Sequence, residues 1–296
     1  MPHLVISSNC QTAGLAATLA EIFHGNVVTP LPLPQFANDG EEAQFAEQLK
    51  SADVWVSLGQ FGLVEKYRLR DAKPGFRLIK APPLGFPAFH PDLCYARRIS
   101  TNELVVPHYN SAIVVWAYRN GLSPEDAARL FTRSNYESLG YLDAWGPSVA
   151  HLRQVFANFD MREEFDKFYL HMKRRGNFMY SINHPRSDAL VQLGKIIATK
   201  IGCSKDVYEQ DIQISDGLTD VIWPLYPEVA DGLALEGGSY QWKLGGHLRM
   251  EGVRNYVDFA YNNYRTVGIE PADIAIAYFD ESRLDAVLGA QARTAR

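Results

Sequence analysis

Leu4-Val5-Ile6 is an unbroken apolar run, and a run without polar alternation predicts a strand buried on both faces. The polar stretch Ser7-Ser8-Asn9-Cys10-Gln11 interrupts it. Leu15, Ala16, Leu19, Ile22 and Phe23 then recur at helical spacing up to a stop at Gly25-Asn26. The same alternation continues. Val27-Val28-Thr29 reads as a second strand, the ladder Pro30, Pro32, Pro34 as loop, and Glu41 to Lys50 as a helix with Phe45 and Leu49 inward. Val54-Trp55-Val56 is a third strand, ending in Ser57-Leu58-Gly59-Gln60. Arg77-Leu78-Ile79 is a fourth, leading into the stiff loop Ala81 to Pro87. The pattern predicts an α/β fold: a mainly parallel sheet with flanking helices, a Rossmann or flavodoxin-like core whose ligands bind beyond the carboxyl ends of the strands. Cys10 and Gln60 both fall at such ends.

From Val106 the texture becomes helical. Ser111 to Asn120 and Pro124 to Phe131 read as helices, the second with Ser123 as N-cap and Pro124 at its first position. Pro147 to Phe156 and Met161 to Arg174 continue the series. Phe178 to Ile182 resembles a strand, followed by the turn Asn183-His184-Pro185-Arg186-Ser187 and a helix over Asp188 to Ile201. Residues 204–246, rich in Asp, Gly and Pro, read as irregular covering structure. Val253, Tyr256, Val257, Ala260, Tyr261 and Tyr264 mark an amphipathic helix, and the tail after Leu288 reads as frayed. The expected division is 1–105 as the α/β core, 106–176 as a helical subdomain, and 177–296 as a return to the core with a covering segment.

Composition narrows the classes. With 296 residues, 47% hydrophobic, the chain can bury one large or two modest cores. Net charge is −5, and no long basic run occurs, so bulk attraction to nucleic acid or an anionic membrane is not expected. No apolar run approaches the ~18 residues of a membrane span, and the opening residues do not form a secretory signal, so a cytoplasmic location is expected. Cys10, Cys94 and Cys203 are widely spaced with no CxxC, which argues against a disulfide framework and against a metal site.

The candidate chemistry gathers at the first turn. At a helix start, open N–H groups and the positive end of the helix dipole favour an anion, so Cys10 is expected to have a lowered thiol pKa and the turn to suit a phosphate or an oxyanion. A cysteine nucleophile needs a base, and among eight histidines His90 and His184 lie in Pro-containing turns at loop ends. His90 is preferred because His90-Pro91-Asp92 brings a carboxylate close enough to hold the ring. Side-chain amides of Asn9, Gln11 and Gln60, or the Cys10 and Gln11 N–H groups, would bind an oxyanion, although turn and N-cap bonding is an equally ordinary role for them. Gln11 to Ala16 fits the Q-x-x-G-x-A pattern by which GNAT acyltransferases meet a coenzyme A pyrophosphate. Its place before any other strand does not fit that fold, and only the helix N-terminus is carried forward. No dinucleotide fingerprint or P-loop occurs. Arg97-Arg98, Lys173-Arg174-Arg175 and Arg186 could meet a phosphorylated adenosine.

Strand-Ser8-Asn9-Cys10-Gln11-helix, then Phe89-His90-Pro91-Asp92, the helix start Gly121 to Glu125, and Asn183-His184-Pro185 together resemble the WcbI family of capsular polysaccharide biosynthesis proteins. The likeness covers the chain to about Gly202 and returns near Tyr256 to Tyr264, with Ser8 where members often carry glycine. It implies a coenzyme-A-dependent acetyltransferase that moves acetyl from acetyl-CoA to a sugar hydroxyl of a capsular or other surface polysaccharide. Cys10, His90 and Gln11 would then be catalytic, and Ser8, Asn9, Thr12, Gln60, Asn183, His184 and Arg186 would bind the cofactor. The partner would be a carbohydrate acceptor, and homo-oligomerisation is left open. A cysteine esterase or thioesterase, or a non-catalytic coenzyme A or nucleotide-binding protein, are the competing readings.

Overall fold

The computed structural model describes residues 2–277 and 281–294. The chain forms two compact units, Met1–Gly85 with Ala150–Met179 and Asn183–Thr219, and Phe86–Val149 with Tyr180–Ile182 and Asp220–Arg296. Three consecutive segments were the sequence-based expectation; instead the chain passes repeatedly between two units, which local periodicity does not encode.

The first unit opens with β1 (His3–Ser7), α1 (Thr12–Ile22), β2 (Val27–Pro30), α2 (Asp39–Leu49), β3 (Val54–Ser57), the single turns α3 (Leu63–Lys66) and α4 (Leu69–Ala72), and β4 (Arg77–Lys80). The four strands are all parallel in the order β2-β1-β3-β4, with Leu4 opposite Val28 on one side and Val54 on the other. Leu4, Val5, Ile6, Val54, Trp55 and Val56 are buried, as their unbroken apolar runs predict. Phe45 and Leu49 of α2 pack with Val5 and Trp55. The proline ladder is not free loop: Leu31 and Leu33 donate to the carbonyls of Ile6 and Ser8 at 2.9 and 3.0 Å. Prolines at every second position fit an edge strand whose alternate positions face away from the ladder.

β2 lies on one side of β1 and β3 on the other, so the direction of winding reverses there. The carboxyl ends of β1 and β3 therefore flank a topological switch point, where open parallel sheets bind ligands.

The second unit begins with β5 (Leu93–Arg98), β6 (Asn110–Ser111), α5 (Ala112–Arg119), α6 (Pro124–Ala128) and α7 (Arg133–Leu139). Ser111, Ser123 and Thr132 cap these three helices through side-chain oxygens. The unit boundary falls within α8 (Trp145–Asn158), and α9 (Phe165–Arg175) and α10 (Ser187–Ile201) join the first unit. α10 packs closely on α1 because glycines open the contact: a Cβ on Gly194 would stand 2.4 Å from Thr18 Cγ2, and one on Gly14 2.4 Å from Leu190 Cδ1. Phe178–Ile182 is not a strand; an isolated bridge joins Met179 to Pro185 and folds the segment into a turn.

The second unit ends with β7 (Val221–Ile222), α11 (Pro227–Gly232), β8 (Gln241–Leu244), β9 (Arg249–Glu251), α12 (Val253–Thr266), β10 (Ile274–Ala277) and α13 (Glu281–Thr294). β10-β5-β6 and β7-β8-β9 are antiparallel sheets. Part of 204–246, expected to be irregular, is thus a small sheet and a helix, whose two- to four-residue strands are too short to show a period. The chain after Leu288 continues as helix to Thr294, and its last two residues lie outside the described ones. Aromatic rings fill this unit: Trp242 stacks on Tyr256 at 4.4 Å, and Tyr136 stacks on both Tyr141 and Tyr226. Among the described residues no helix is long and apolar enough to cross a membrane.

Candidate functional site

The Ser8 to Thr12 turn is built by its own side chains. Asn9 Oδ1 accepts from the Gln11 N–H at 3.1 Å, Thr12 Oγ1 accepts from the Ser8 N–H at 2.9 Å, and the Thr12 hydroxyl donates to the Asn9 carbonyl at 2.8 Å. Ser8 and Thr12 are buried in this framework, whereas Asn9 and Cys10 face solvent. The polar residues that looked like ligands in the sequence therefore hold the turn in shape. The hydrogen bonds among the described residues engage none of the N–H groups of Asn9, Ala13 and Gly14, while the Cys10 N–H turns to its own sulfur. Unengaged donors at a helix start favour an anion.

Gln11 corrects an expectation. Its buried side chain donates from Nε2 to the carbonyls of Leu84 and Asn183 at 2.8 and 3.1 Å, and its Oε1 accepts from the Leu84 N–H at 3.1 Å. Both amide hydrogens are thus committed, and its backbone N–H goes to Asn9, so nothing on Gln11 is left for an oxyanion. Gln11 instead ties together three segments distant in sequence. The Asn183 turn is brought to the thiol: Cys10 Sγ lies 4.0 Å from the Asn183 carbonyl and 3.8 Å from Asn9 Oδ1.

From Cys10 a groove of about 440 Å³ runs along the outer face of α1, past Ala13, Gly14, Ala17 and Glu21. Leu190, Ile214, Ser215 and Leu218 form the facing wall. The stretch leading to this wall is anchored by Lys195, a buried side chain whose ammonium donates to the carbonyls of Gln210 and Tyr208 at 2.6 and 3.3 Å. Sequence reasoning missed the wall and its anchor, since residues 204–218 carry no periodic signal. A buried lysine on an otherwise apolar helix face was the available hint.

The electrostatics of Cys10 also run against expectation. Partial enclosure raises its thiol pKa, and its own backbone N–H offsets this in part. Loss of water outweighs that bond, so the resting thiol is protonated at neutral pH. Access still singles it out: Cys10 is exposed, Cys203 is half-buried, and Cys94 is buried with a pKa pushed well above the ordinary value by desolvation. Brief iodoacetamide treatment followed by peptide mapping is expected to label Cys10 first at pH 7, with a rate that climbs steeply to pH 9. A flat pH profile would mean a lowered pKa and contradict the enclosure argument.

His90 belongs to the second unit. Its buried ring places Nδ1 3.2 Å from the Pro224 carbonyl. A carbonyl can only accept, so Nδ1 carries the proton and Nε2 is the basic nitrogen. The ring-holding task expected of Asp92 is thus done by Pro224. Asp92 is buried and receives the Ile113 N–H at 3.0 Å, the Tyr141 hydroxyl at 3.1 Å and the Tyr226 hydroxyl at 2.8 Å. His184 follows Asn183 directly and is half-buried in the first unit. Gln60 is exposed beyond β3 in a left-handed conformation, φ 56°, a costly backbone for a non-glycine residue that gathers at ligand sites. Arg186 is exposed at the N-cap of α10. Arg97 and Arg98 are engaged elsewhere: Arg97 donates to Asn102, and Arg98 to the Val267 and Gly268 carbonyls at the end of α12.

Comparison with known proteins agrees with this architecture. A search of curated proteins finds no match. The solved structure of WcbI, described as a novel polysaccharide biosynthesis enzyme in a native form without a disulfide bond between coenzyme A and one of its cysteines, superposes with a TM-score of 0.63. The alignment covers 99% of this chain and 95% of that one at 14% identity, a likeness of fold. The family model described as polysaccharide biosynthesis enzyme WcbI matches residues 3–206, well over half of the sequence, and the chain therefore belongs to the WcbI family of polysaccharide biosynthesis enzymes.

Proposed function

We propose that this protein is a coenzyme-A-dependent acetyltransferase that esterifies a sugar hydroxyl during the assembly of a capsular or other surface polysaccharide. One observation carries the reading: an exposed cysteine stands at a helix start with unengaged N–H groups, at one end of a groove of about 440 Å³ lined by α1. The N–H groups suit phosphate or a thioester oxyanion, and the apolar wall of Leu190, Ile214 and Leu218 suits the aliphatic part of the arm. The description of the WcbI structure, which names a disulfide between coenzyme A and a cysteine that this form lacks, supports the choice of ligand.

In the covalent form of the reaction the Cys10 thiol loses its proton to a base, and its sulfur bonds to the acetyl carbon. The coenzyme's C–S bond breaks and its thiol leaves protonated. The sugar oxygen then bonds to the same carbon, its proton passes to the base, and Cys10 is released. A thioester is exchanged for a thioester and then for an ester, so no other reactant is needed. The raised thiol pKa makes the base necessary. A hydrolase would use the same turn with water as acceptor, and a carrier would stop at binding.

Ligand-dependent unfolding tests the cofactor. Coenzyme A at a hundredfold excess over its Kd is expected to stabilise the chain by about 2.7 kcal/mol, and Ala17→Phe, which fills the groove, should abolish the gain while leaving the ligand-free melting temperature unchanged. Absence of any shift at millimolar coenzyme A would remove the cofactor from the proposal.

A further inference from the structure

The large apolar side chains left in solvent are not scattered. Among the described residues seven are exposed, and four of them, Ile99 at 48%, Leu104 at 44%, Val106 at 61% and Val267 at 42%, belong to one corner of the second unit. Hydrogen bonds hold that corner together. After β5 the chain turns back: the Arg98 N–H donates to the Glu103 carbonyl at 2.8 Å and the Val105 N–H to the Ala96 carbonyl at 2.9 Å, which sets Leu104 opposite Arg97. The Arg98 guanidinium donates to the Val267 carbonyl at 2.8 Å and the Asn263 side chain to the Val106 carbonyl at 2.6 Å, so the end of α12 is fixed beside the returning segment. In this register Arg97 and Leu104 exchange no hydrogen bonds, and the Leu104 N–H and carbonyl point away from β5. Among the described residues neither has a partner. The returning segment is thus an open sheet edge, and an unprotected one. The edges of the parallel sheet in the first unit are guarded, β2 by Pro30, Pro32 and Pro34 and β4 by Arg77 and Lys80 at its ends. Here the outward side chains are Leu104 and Val106, two residues apart on one face of the segment, while Val105 between them is buried.

We infer that this corner is the contact face of a homodimer, with Leu104 on the two-fold axis. Antiparallel strands pair symmetrically, so a second copy turned about Leu104 takes up both open bonds of that residue and sets Leu104 beside its own counterpart. The charges fit a copy of this chain better than a charged partner. Arg97 and Arg98 are balanced by Glu103 and Asp273, on a chain that carries −5 overall, and Arg98 is already paired with Asp273 at 3.2 Å. A face that meets itself has to be near neutral, since around a two-fold axis the same charges return on both sides. No like pair falls on the axis, because in this register Glu103 lies opposite Val105. Four apolar side chains and one pair of backbone bonds make a small interface, so the association is expected to be micromolar and transient. It stands apart from the coenzyme reading.

Sedimentation velocity of the full chain from about 1 to about 300 µM tests this, and wild type is expected to pass from monomer to dimer across that range. Leu104→Asp and Leu104→Lys each put like charges across the axis, and each should weaken association about a hundredfold. Position 104 is exposed, so the melting temperature of the dilute chain should not change. Mixed in equal amounts the two variants should associate again, because a carboxylate then meets an ammonium. Only a residue that faces its own counterpart behaves in this way. Val267→Glu, on the helix and away from the hairpin, should weaken association about tenfold and decides the matter if the hairpin variants do not fold. A wild type that stays monomeric throughout overturns the proposal and leaves the edge to a different partner. Dimers that form equally well in all three variants place the contact elsewhere and overturn it too, as does a mixture of folded Leu104 variants that stays monomeric.

Discussion

Cys10→Ser is expected to lower acetyl transfer from acetyl-CoA to a sugar acceptor by about 10²- to 10⁴-fold, while coenzyme affinity changes little, since an alkoxide is much harder to generate than a thiolate. Steady-state kinetics with binding measured separately distinguishes this from a damaged turn, in which kcat and affinity would fall together. The base is found by the same assay. His90→Ala and His184→Ala are compared in it, and the variant that removes the base is expected to cost a similar factor. For two residues that handle one proton the losses do not add, and the double variant should resemble the worse single one. Additive losses with His90 and non-additive ones with His184 would give the base role to His184, next to the Asn183 carbonyl that meets the thiol. Full turnover by Cys10→Ser would exclude a covalent acetyl-enzyme.

The parallel sheet of the first unit was legible because its signals are local. A strand covered on both faces has to be apolar throughout, so β1 and β3 stand out as Leu4 to Ile6 and Val54 to Val56, and the polar break between β1 and α1 marks the turn. What the turn does was less legible, because it depends on residues far along the chain. Gln11 looks like an oxyanion donor until the Leu84 peptide, 73 positions away, takes both ends of its amide. The thiol of Cys10 looks acidic until the enclosure around it is known. In the second unit the strands are mostly short, and its aromatic residues stack across large sequence separations, as Tyr136 does on Tyr226. No window along the sequence contains both members of such a pair.

Asp92 carries the largest expected effect on stability. Asp92→Ala would strip acceptors from the Ile113 N–H and from the Tyr141 and Tyr226 hydroxyls, in a site with no room for bulk water. Each buried donor left unmade costs about 1–3 kcal/mol, and relaxation recovers part, so a loss of about 3–5 kcal/mol is expected. That is a large share of the roughly 5–15 kcal/mol of a typical domain. The pH dependence follows from the same burial. Desolvation pushes the Asp92 carboxyl up to about 6, against the opposing pull of bonds from Ser111, Ile113, Tyr226 and Tyr141. The unfolded chain ionises near its ordinary value of 3.8. Between these two values the native state keeps a proton that the unfolded state has lost, so stability falls as pH rises through the window, by at most about 1.4 kcal/mol per pH unit. Above the folded value both states are ionised, and the penalty is constant. Asp92→Asn cannot titrate and lacks this slope. In urea unfolding at pH 4.5, 5.5, 6.5 and 7.5, wild type should lead the Asn variant by most at pH 4.5, with the lead shrinking to a constant value above pH 6.5. Parallel curves would show that Asp92 is ionised throughout, and that its four donors outweigh the loss of water.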